Sequence, residues 1–462
     1  MLIFNEEIKG IADDSRNVED GFLFIAIKGL TVDGHKYIPQ AIKNGAKVIV
    51  GEEDLKLKDV KYVKVKNSRE ELGILASKWY GNPSSKLKII GVTGTDGKTT
   101  TSNLIYWILK TAGRKVGLIS TINAKIGDKE YDTGFHVTNP EPLLLQKLLS
   151  EMVKSKCEYA ILEVTSHGLH QDRVAGVKFD VGVSTNITHE HLDYHKTMEN
   201  YIAAKGKLFS GVKYAIINGR DNNSSKIIPF INKEARVVKY NFELLNDKVG
   251  KVIKSRFLQS YNWENATAVV NVAELLKIKP EDIIKGIESF PELSGRMEEI
   301  KNKKGIKIYV DFAHTPNALE KVLSTLSETK KGRLICVFGC AGERDVKKRM
   351  LMPQISIKLA DISIFTAEDP RKENIEDILK VMKEAVIKNG GIENKNFILI
   401  PERGKAIFDA INRFAKEKDT VVICGKGHER SMSYNGIEYS WSDQEAVKSA
   451  LVGKMKEIKW QK

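Results

Sequence analysis

The run Leu87-Lys88-Ile89-Ile90-Gly91-Val92, continuing into Thr93-Gly94-Thr95-Asp96-Gly97-Lys98-Thr99-Thr100, constrains this chain more than any other stretch. A short apolar run of this kind reads as a buried strand. It passes through a glycine-rich turn into an amphipathic stretch over about 99–111, with Leu104, Trp107 and Ile108 on one helical face. Strand, glycine-rich turn, Lys-Thr and helix together make a holder for a nucleoside triphosphate. Backbone N–H groups freed by the glycines wrap the phosphates, and the helix N-terminus adds a favourable dipole. Lys98 is placed to reach the β and γ phosphates, and the Thr99 hydroxyl to ligate Mg²⁺. The strict GxxxxGK[ST] spacing is not met, because Val92 stands where the first Gly belongs, flanked by Gly91 and Gly94.

The rest of the chain alternates in the same way. Strand-like runs at 159–164, 181–187 and 214–218 are separated by helical stretches, which predicts a mainly parallel sheet with helices on both faces. From about Arg296 the alternation repeats, with strands at 306–311, 334–338, 362–366, 397–400 and 420–424 and helices at 316–326, 375–388 and 404–416. That is a doubly wound, Rossmann-like pattern. Upstream, strand-like runs at 21–27 and 48–50 and a helix at 69–80 precede Gly81-Asn82-Pro83-Ser84-Ser85, a break rich in turn formers. The expectation is an α/β chain of three domains: a small α/β domain at 1–86, a central P-loop domain at 87–295 and a Rossmann-like domain at 296–462. A chain of 462 residues is too long for one ordinary core.

Composition narrows the partners. No apolar run reaches the ~18–20 residues that cross a bilayer. The N-terminus, Met1-Leu2-Ile3-Phe4-Asn5-Glu6-Glu7, has no basic stretch leading into an apolar one, so a cytoplasmic protein without a membrane partner is expected. Cys157, Cys336, Cys340 and Cys424 form no CxxC pair and no zinc spacing, and read as reduced thiols. The net charge of +14 permits a nucleic-acid reading, but the lysines are spread along the chain without a basic block, so no nucleic-acid partner is expected. A polyanionic small substrate benefits from the same field.

Further ligands for Mg²⁺ are sought at the carboxyl ends of the neighbouring strands. Glu163 ends one of them and reads equally as a metal ligand or as a cap of the next turn. After another strand comes Asn186-Ile187-Thr188-His189-Glu190-His191-Leu192-Asp193-Tyr194-His195. Its three histidines in seven residues suggest zinc, but the acidic neighbours and the phosphate loop favour a nucleotide-metal site.

These motifs together resemble the Mur ligases, specifically the MurE type, over nearly the whole chain. Gly91–Thr101 is similar to the family's GVTGTNGKTTT loop, with Asp96 in place of Asn. Asp14-Ser15-Arg16 and Asp33-Gly34-His35 resemble the segment that grips the UDP part of the substrate, which implies that Ser15, Arg16, Asp33 and His35 lie near it. Thr138 and Asn139 match positions that contact the muramoyl portion, and Ser166 and Arg173, in a stretch that resembles the family's E(V/A)SSHGL…R motif, are implied at the same UDP-linked substrate. His191-Leu192-Asp193-Tyr194-His195 implies that His191 is a Mg²⁺ ligand, and Ala203-Ala204-Lys205 implies a carbamylated Lys205 able to hold a second Mg²⁺. Without the resemblance Lys205 reads as a solvated helix lysine. Asn186, Asn265, Arg296, Asp311 and His314 are implied at the ATP, alongside Gly94, Thr95, Asp96, Gly97, Lys98, Thr99 and Thr100. Arg344, Asp369, Arg371, Gly425 and Glu429 are implied at the incoming amino acid.

The resemblance implies a monomeric, ATP-dependent ligase. It adds one amino acid to a UDP-linked cell-wall peptide through an acyl phosphate, releasing ADP and phosphate, with Lys98, Lys205 and His191 as catalytic groups. The family's DNPR selectivity motif reads Glu368-Asp369-Pro370-Arg371 here, which leaves the amino acid open. The Tyr-Gln usual after Glu429 is replaced by Arg430-Ser431-Met432, and the stretch from Asn218 to Tyr261 is short. These departures leave room for an archaeal pseudomurein-type ligase with a non-muramoyl acceptor. A folylpolyglutamate-synthetase-like ligase fits less well, because that group lacks the segment at 14–35.

Overall fold

The computed structural model describes residues 1–29, 32–131 and 138–458. Three sheets carry the fold. The first is a four-stranded parallel sheet in the order β1 (Gly10–Ala12), β2 (Phe22–Ile25), β3 (Val48–Gly51), β4 (Lys61–Lys64). The helix Ser68–Trp79 follows it, with Asn67 accepting from the Arg69 and Glu70 amides to start the helix.

The middle unit is built on β5 (Lys88–Thr93), β6 (Val116–Ile119), β7 (Ala124–Ile126), β8 (Lys129–Tyr131), β9 (Tyr159–Glu163), β10 (Val181–Ser184), β11 (Tyr214–Asn218) and β12 (Arg236–Tyr240). Their spatial order is β8-β7-β6-β9-β5-β10-β11-β12, parallel apart from the two edge strands β7 and β8. Strand β5 therefore lies between β9 and β10, with Val92 beside Glu163 and Thr93 beside Ser184. Ile89, Ile90 and Val92 are buried because helices cover both faces, which is why the sequence run is continuously apolar rather than alternating. What leaves the carboxyl ends of β5, β9 and β10 converges on one crevice.

The third unit repeats the plan with β13 (Glu298–Glu299), β14 (Lys307–Asp311), β15 (Leu334–Phe338), β16 (Ile362–Phe365), β17 (Phe397–Leu399) and β18 (Thr420–Cys424), in the order β13-β14-β18-β15-β16-β17. Only the β13 edge is antiparallel. Two expectations shift. The strand expected over 181–187 stops at Ser184, because Thr185 and Asn186 turn out of the sheet to brace the phosphate loop. The helix expected over 404–416 runs Arg403–Asp409 and then widens into a π turn at Ala410–Phe414. All four cysteines are free and buried. Among the described residues no helix is long and apolar enough to cross a membrane.

One buried ion pair ties this third unit to its site. Arg403 and Asp443 are both fully buried and paired at 2.7 Å. The remaining guanidinium donors reach the carbonyls of Ala367, just past β16, and Cys424, at the end of β18. Glu368 and Gly425 follow directly, so the pair sets the spacing of two site loops. Asp443→Ala leaves a buried cation unmatched and should destabilise the third unit by about 3–5 kcal/mol, read as the loss of its transition in urea unfolding followed by circular dichroism.

Candidate active site

The phosphate loop is shaped by two glycines. Gly94 has φ +149, and a Cβ there would come within 1.8 Å of the Thr185 hydroxyl. Gly97, at φ +83, starts the helix Lys98–Thr111 without a side-chain cap, and a Cβ there would meet Asn265 Oδ1 at 2.3 Å. Every loop carbonyl is tied inward: Lys205 Nζ donates to Gly94 O (2.7 Å), Lys98 Nζ to Thr95 O (2.8 Å), and Thr185 Oγ1 and Asn186 Nδ2 to Asp96 O (2.7 and 3.0 Å). With the carbonyls turned away, the uncapped amides at the helix start face the cleft, an arrangement suited to an anion.

The cleft between the middle and third units has a volume of about 1550 Å³. Thr95, Asp96, Gly97, Lys98, Thr99 and Thr100 line it, together with Glu163 and His191. Glu163 is buried, and its two oxygens accept from the Thr99 hydroxyl and the Thr121 amide, each at 3.0 Å. The Thr99 hydroxyl also accepts from Arg296 Nη2 at 3.1 Å, and that guanidinium lies over the Phe312 ring at 4.5 Å. A hydroxyl and a carboxylate in contact at the start of the helix fit a hard divalent cation beside a triphosphate. The His191 and His167 rings meet edge to face at 4.5 Å. Burial and nearby cations hold His167 down to about 4 and His191 well below the usual histidine range, which leaves both imidazoles neutral and able to ligate.

Lys205 overturns the solvated reading. It is 1% exposed, lies behind the loop rather than on the cleft wall, and sits 4.5 Å from the Tyr201 ring centroid. Burial, then Lys98, pushes its ammonium well below the usual lysine range, which favours the uncharged amine. That is the state needed to capture carbon dioxide as a carbamate.

The third unit brings a second set of charges. Arg344 and Arg371 both line the cleft, and burial followed by Arg371 lowers the pKa of Arg344. Asp369 does not offer itself to a ligand: both of its oxygens hold Lys426 Nζ (2.8 and 2.7 Å), and one also accepts the Ser433 amide. Glu429 pairs with the same lysine at 2.5 Å. Burial works against the Lys426 charge, but Glu429 and Asp369 more than offset it. Glu368, which the sequence reading passed over as a site residue, is buried with Oε2 lacking a partner, and Gly425 passes so closely that a Cβ there would lie 2.2 Å from that oxygen. Burial pushes the Glu368 carboxyl up to about 8.

The remaining expected residues divide between the cleft and the first unit. Ser15, Arg16, Asp33 and His35 stay within the first unit. Arg16 pairs with Asp14 (2.5 Å), and both His35 ring nitrogens are used, by Asp33 (2.7 Å) and by the Glu52 amide (3.0 Å). Thr138, Asn139 and Arg173 line the cleft, whereas Ser166 does not. The Asn139 amide is occupied by Glu163 O and Thr165 N, so it braces the site. Arg173 donates to Asn139 O and pairs with Glu141, and Thr138 bonds the Thr121 hydroxyl. Asp311 accepts the Met297 and Ala313 amides (2.7 and 2.8 Å) and His314 Nδ1 meets Phe312 O (2.9 Å), so both shape their loop. Asn186 and Asn265 also line the cleft, where Asn186 braces the loop and Asn265 lies against Gly97. Residues that sequence reasoning missed are those reaching across the cleft: Lys348 pairs with buried Glu190 (2.7 Å), and Asn317 with Asp96 (2.5 Å). No local pattern marks such pairs.

Comparison with known proteins agrees with this geometry. The chain matches the Mur ligase family catalytic domain over 7–80, the Mur ligase middle domain over 92–278 and the Mur ligase glutamate ligase domain over 295–427. It is 41% identical to the UDP-N-acetylmuramoyl-L-alanyl-D-glutamate–2,6-diaminopimelate ligase of Clostridium botulinum, covering 96% of this chain and 95% of that one. A solved structure of a ligase with that same designation superposes with a TM-score of 0.65 at 30% identity, over 96% of this chain and 95% of the other. A pseudomurein peptide ligase type C from Methanothermus fervidus shares the fold alone, at 18% identity and a TM-score of 0.53 over 88% and 92% of the two chains. The pseudomurein alternative is therefore not favoured. The match over 7–80 weighs against the folylpolyglutamate alternative.

The Glu368 carboxyl has its folded pKa raised above the ordinary value of 4.5. The sign is then fixed: its contribution is fully present below about pH 4.5 and is lost as pH rises towards 8, because unfolding frees the group to ionise. Glu368→Gln should therefore gain stability relative to the parent as pH climbs from about 5 to 8, measured by urea unfolding at fixed pH steps.

Proposed function

The chain belongs to the Mur ligase family, and from that membership we propose that it joins 2,6-diaminopimelate to UDP-N-acetylmuramoyl-L-alanyl-D-glutamate, with ATP converted to ADP and phosphate. The observation that carries this reading is that the phosphate loop lines the same cleft as Arg344, Arg371 and Glu368. A diamino diacid presents two carboxylates and two ammonium groups. Neighbouring guanidiniums suit a carboxylate, and the Glu368 carboxyl, which lacks a partner at Oε2, would give up its proton against an ammonium. Glu368 and Asp369 differ from the family's motif, but Asp369 is taken up by Lys426, so selection falls to Arg371, Arg344 and Glu368.

In this reading the acceptor carboxylate attacks the γ-phosphorus of ATP, the bond to the β,γ-bridging oxygen breaks, and an acyl phosphate and ADP result. The amine of the incoming amino acid then attacks the acyl carbon, phosphate leaves with the C–O bond pair, and the amine gives up a proton. The protein's part is placement and charge neutralisation. Lys98, on leaving Thr95 O for the nucleotide, and the helix-start amides hold the transferring phosphoryl group. Thr99, Glu163 and His191 would hold Mg²⁺, and Lys205, once carbamylated and released from Gly94 O, would hold a second ion. Bound Mg²⁺ supplies Lewis-acid neutralisation of the phosphate charge. Ser15, Arg16, Asp33 and His35 belong on this reading to the UDP end, where Asp33 and His35 shape the loop from within.

Two outcomes test it. Phosphate release should require both the UDP-linked dipeptide and 2,6-diaminopimelate, with the amide product seen by mass. Turnover with lysine in place of the diamino diacid would overturn the choice of amino acid. Lys98→Ala should lower kcat by about 10²–10³-fold, the loss typical of removing one donor aimed at developing charge. Activity close to the parent would remove Lys98 from the phosphoryl site.

A further inference from the structure

Asp96 is the loop residue whose side chain leaves the middle unit. Its backbone is held by Thr185 and Asn186, but its carboxylate Oδ2 accepts from Asn317 Nδ2 at 2.5 Å, across 221 positions of sequence. Asn317 is the second residue of the helix Pro316–Thr329 in the third unit. Thr315 caps that helix through the Ala318 amide, so the Asn317 amide is not needed to start it. Two neighbouring contacts cross the same boundary, Arg296 to Thr99 and Lys348 to Glu190. At all three the donor comes from the third unit and the acceptor from the middle one.

A carboxylate on a phosphate-binding loop is electrostatically costly, because a triphosphate and an uncovered anion repel at close range. The position is tolerable where a donor covers the carboxylate, and here the cover is supplied by the unit that carries the amino-acid cluster. Asp96 is also where this loop departs from the family's Asn. We propose that Asp96 and Asn317 are a matched acceptor–donor pair that seats the third unit on the phosphate loop, which makes Asn317 a positioning residue for ATP turnover. The proposal rests on the reading that the loop binds ATP. Seating covers the Asp96 charge and presents Arg296 to Thr99 in the same movement, so a loaded phosphate site and a seated third unit favour one another.

The chemistry of the pair gives a test that loss of a structural contact would not mimic. Asn317→Asp sets two carboxylates face to face, whereas the exchange Asp96→Asn with Asn317→Asp restores one donor and one acceptor. An Asp in the first helical turn is favourable to the helix, so the single variant should fold. Using full-length protein, kcat/KM for amide synthesis and the Kd of a non-hydrolysable ATP analogue would be measured for both single variants and the exchange. Asn317→Asp should weaken both by about tenfold or more, and the exchange should recover most of the loss with an unchanged melting temperature. Asn317→Asp within about twofold of the parent, or an exchange no better than Asn317→Asp alone, would overturn the pair. Should Asn317→Asp misfold, Asn317→Ala removes the donor without adding charge, and a loss of about threefold is expected; no loss overturns the pair. If the parent makes no amide from 2,6-diaminopimelate, the functional reading fails, and the pair is still decided by the order of analogue affinities.

Discussion

Three carbonyls held inward by side chains set the character of this site. A turn between a strand and a helix offers both donors and acceptors to whatever approaches, and an anion binds only where the acceptors are out of the way. Lys205, Lys98, Thr185 and Asn186 remove them from the surface, coming from elements as far apart as the loop itself, the exit of β10 and the buried helix Met198–Gly206. Gly94 is needed for the same reason, since a Cβ there would push Thr185 off the loop, and a Cβ at Gly97 would collide with Asn265. Much of the middle unit can be understood as the frame that brings those braces to one place.

The alternation of strands and helices was plain in the sequence because both parallel sheets are covered on each face and their strands are continuously apolar. The phosphate loop was legible for a local reason: glycines, Lys and Thr act where they stand. Lys205 was not, since nothing in Met198–Gly206 tells a buried lysine from a solvated one until Gly94 O is placed over it. Asp311, His314 and Asn139 line the cleft and also satisfy amides and carbonyls of their own loops, a bracing role that the motif spacing does not reveal, and His35 does the same within the first unit. Short polar motifs look alike whether they bind substrate or hold the loop that does. Glu368 went unassigned because its significance lies in a missing partner, a property of packing rather than of spacing.

The two ends of the cleft use charge differently. Around the loop, histidines are kept neutral by burial, so their ring nitrogens remain open for coordination. In the third unit, charge is retained by pairing: Arg403 with Asp443, and Lys426 with both Asp369 and Glu429. A fully buried ion pair adds little net stability over an apolar pair of the same shape, but losing one member is severe. Such pairs hold geometry, and the loops they hold carry Arg371, Glu368 and Gly425.

The shared lysine also restricts how descendants of this protein could drift. Asp369 and Glu429 lie in separate loops, yet each is matched to the same buried ammonium. A neutral replacement at either position leaves that ammonium under-matched, and a replacement of Lys426 strands two acids at once. Substitutions here are therefore epistatic, and the order in which they arise matters more than which residues are finally reached. Arg371 and Glu368 are freer to vary, because neither is bound into that triad. A shift of preference among amino acids has an easy route through those two positions and a narrow one through Asp369.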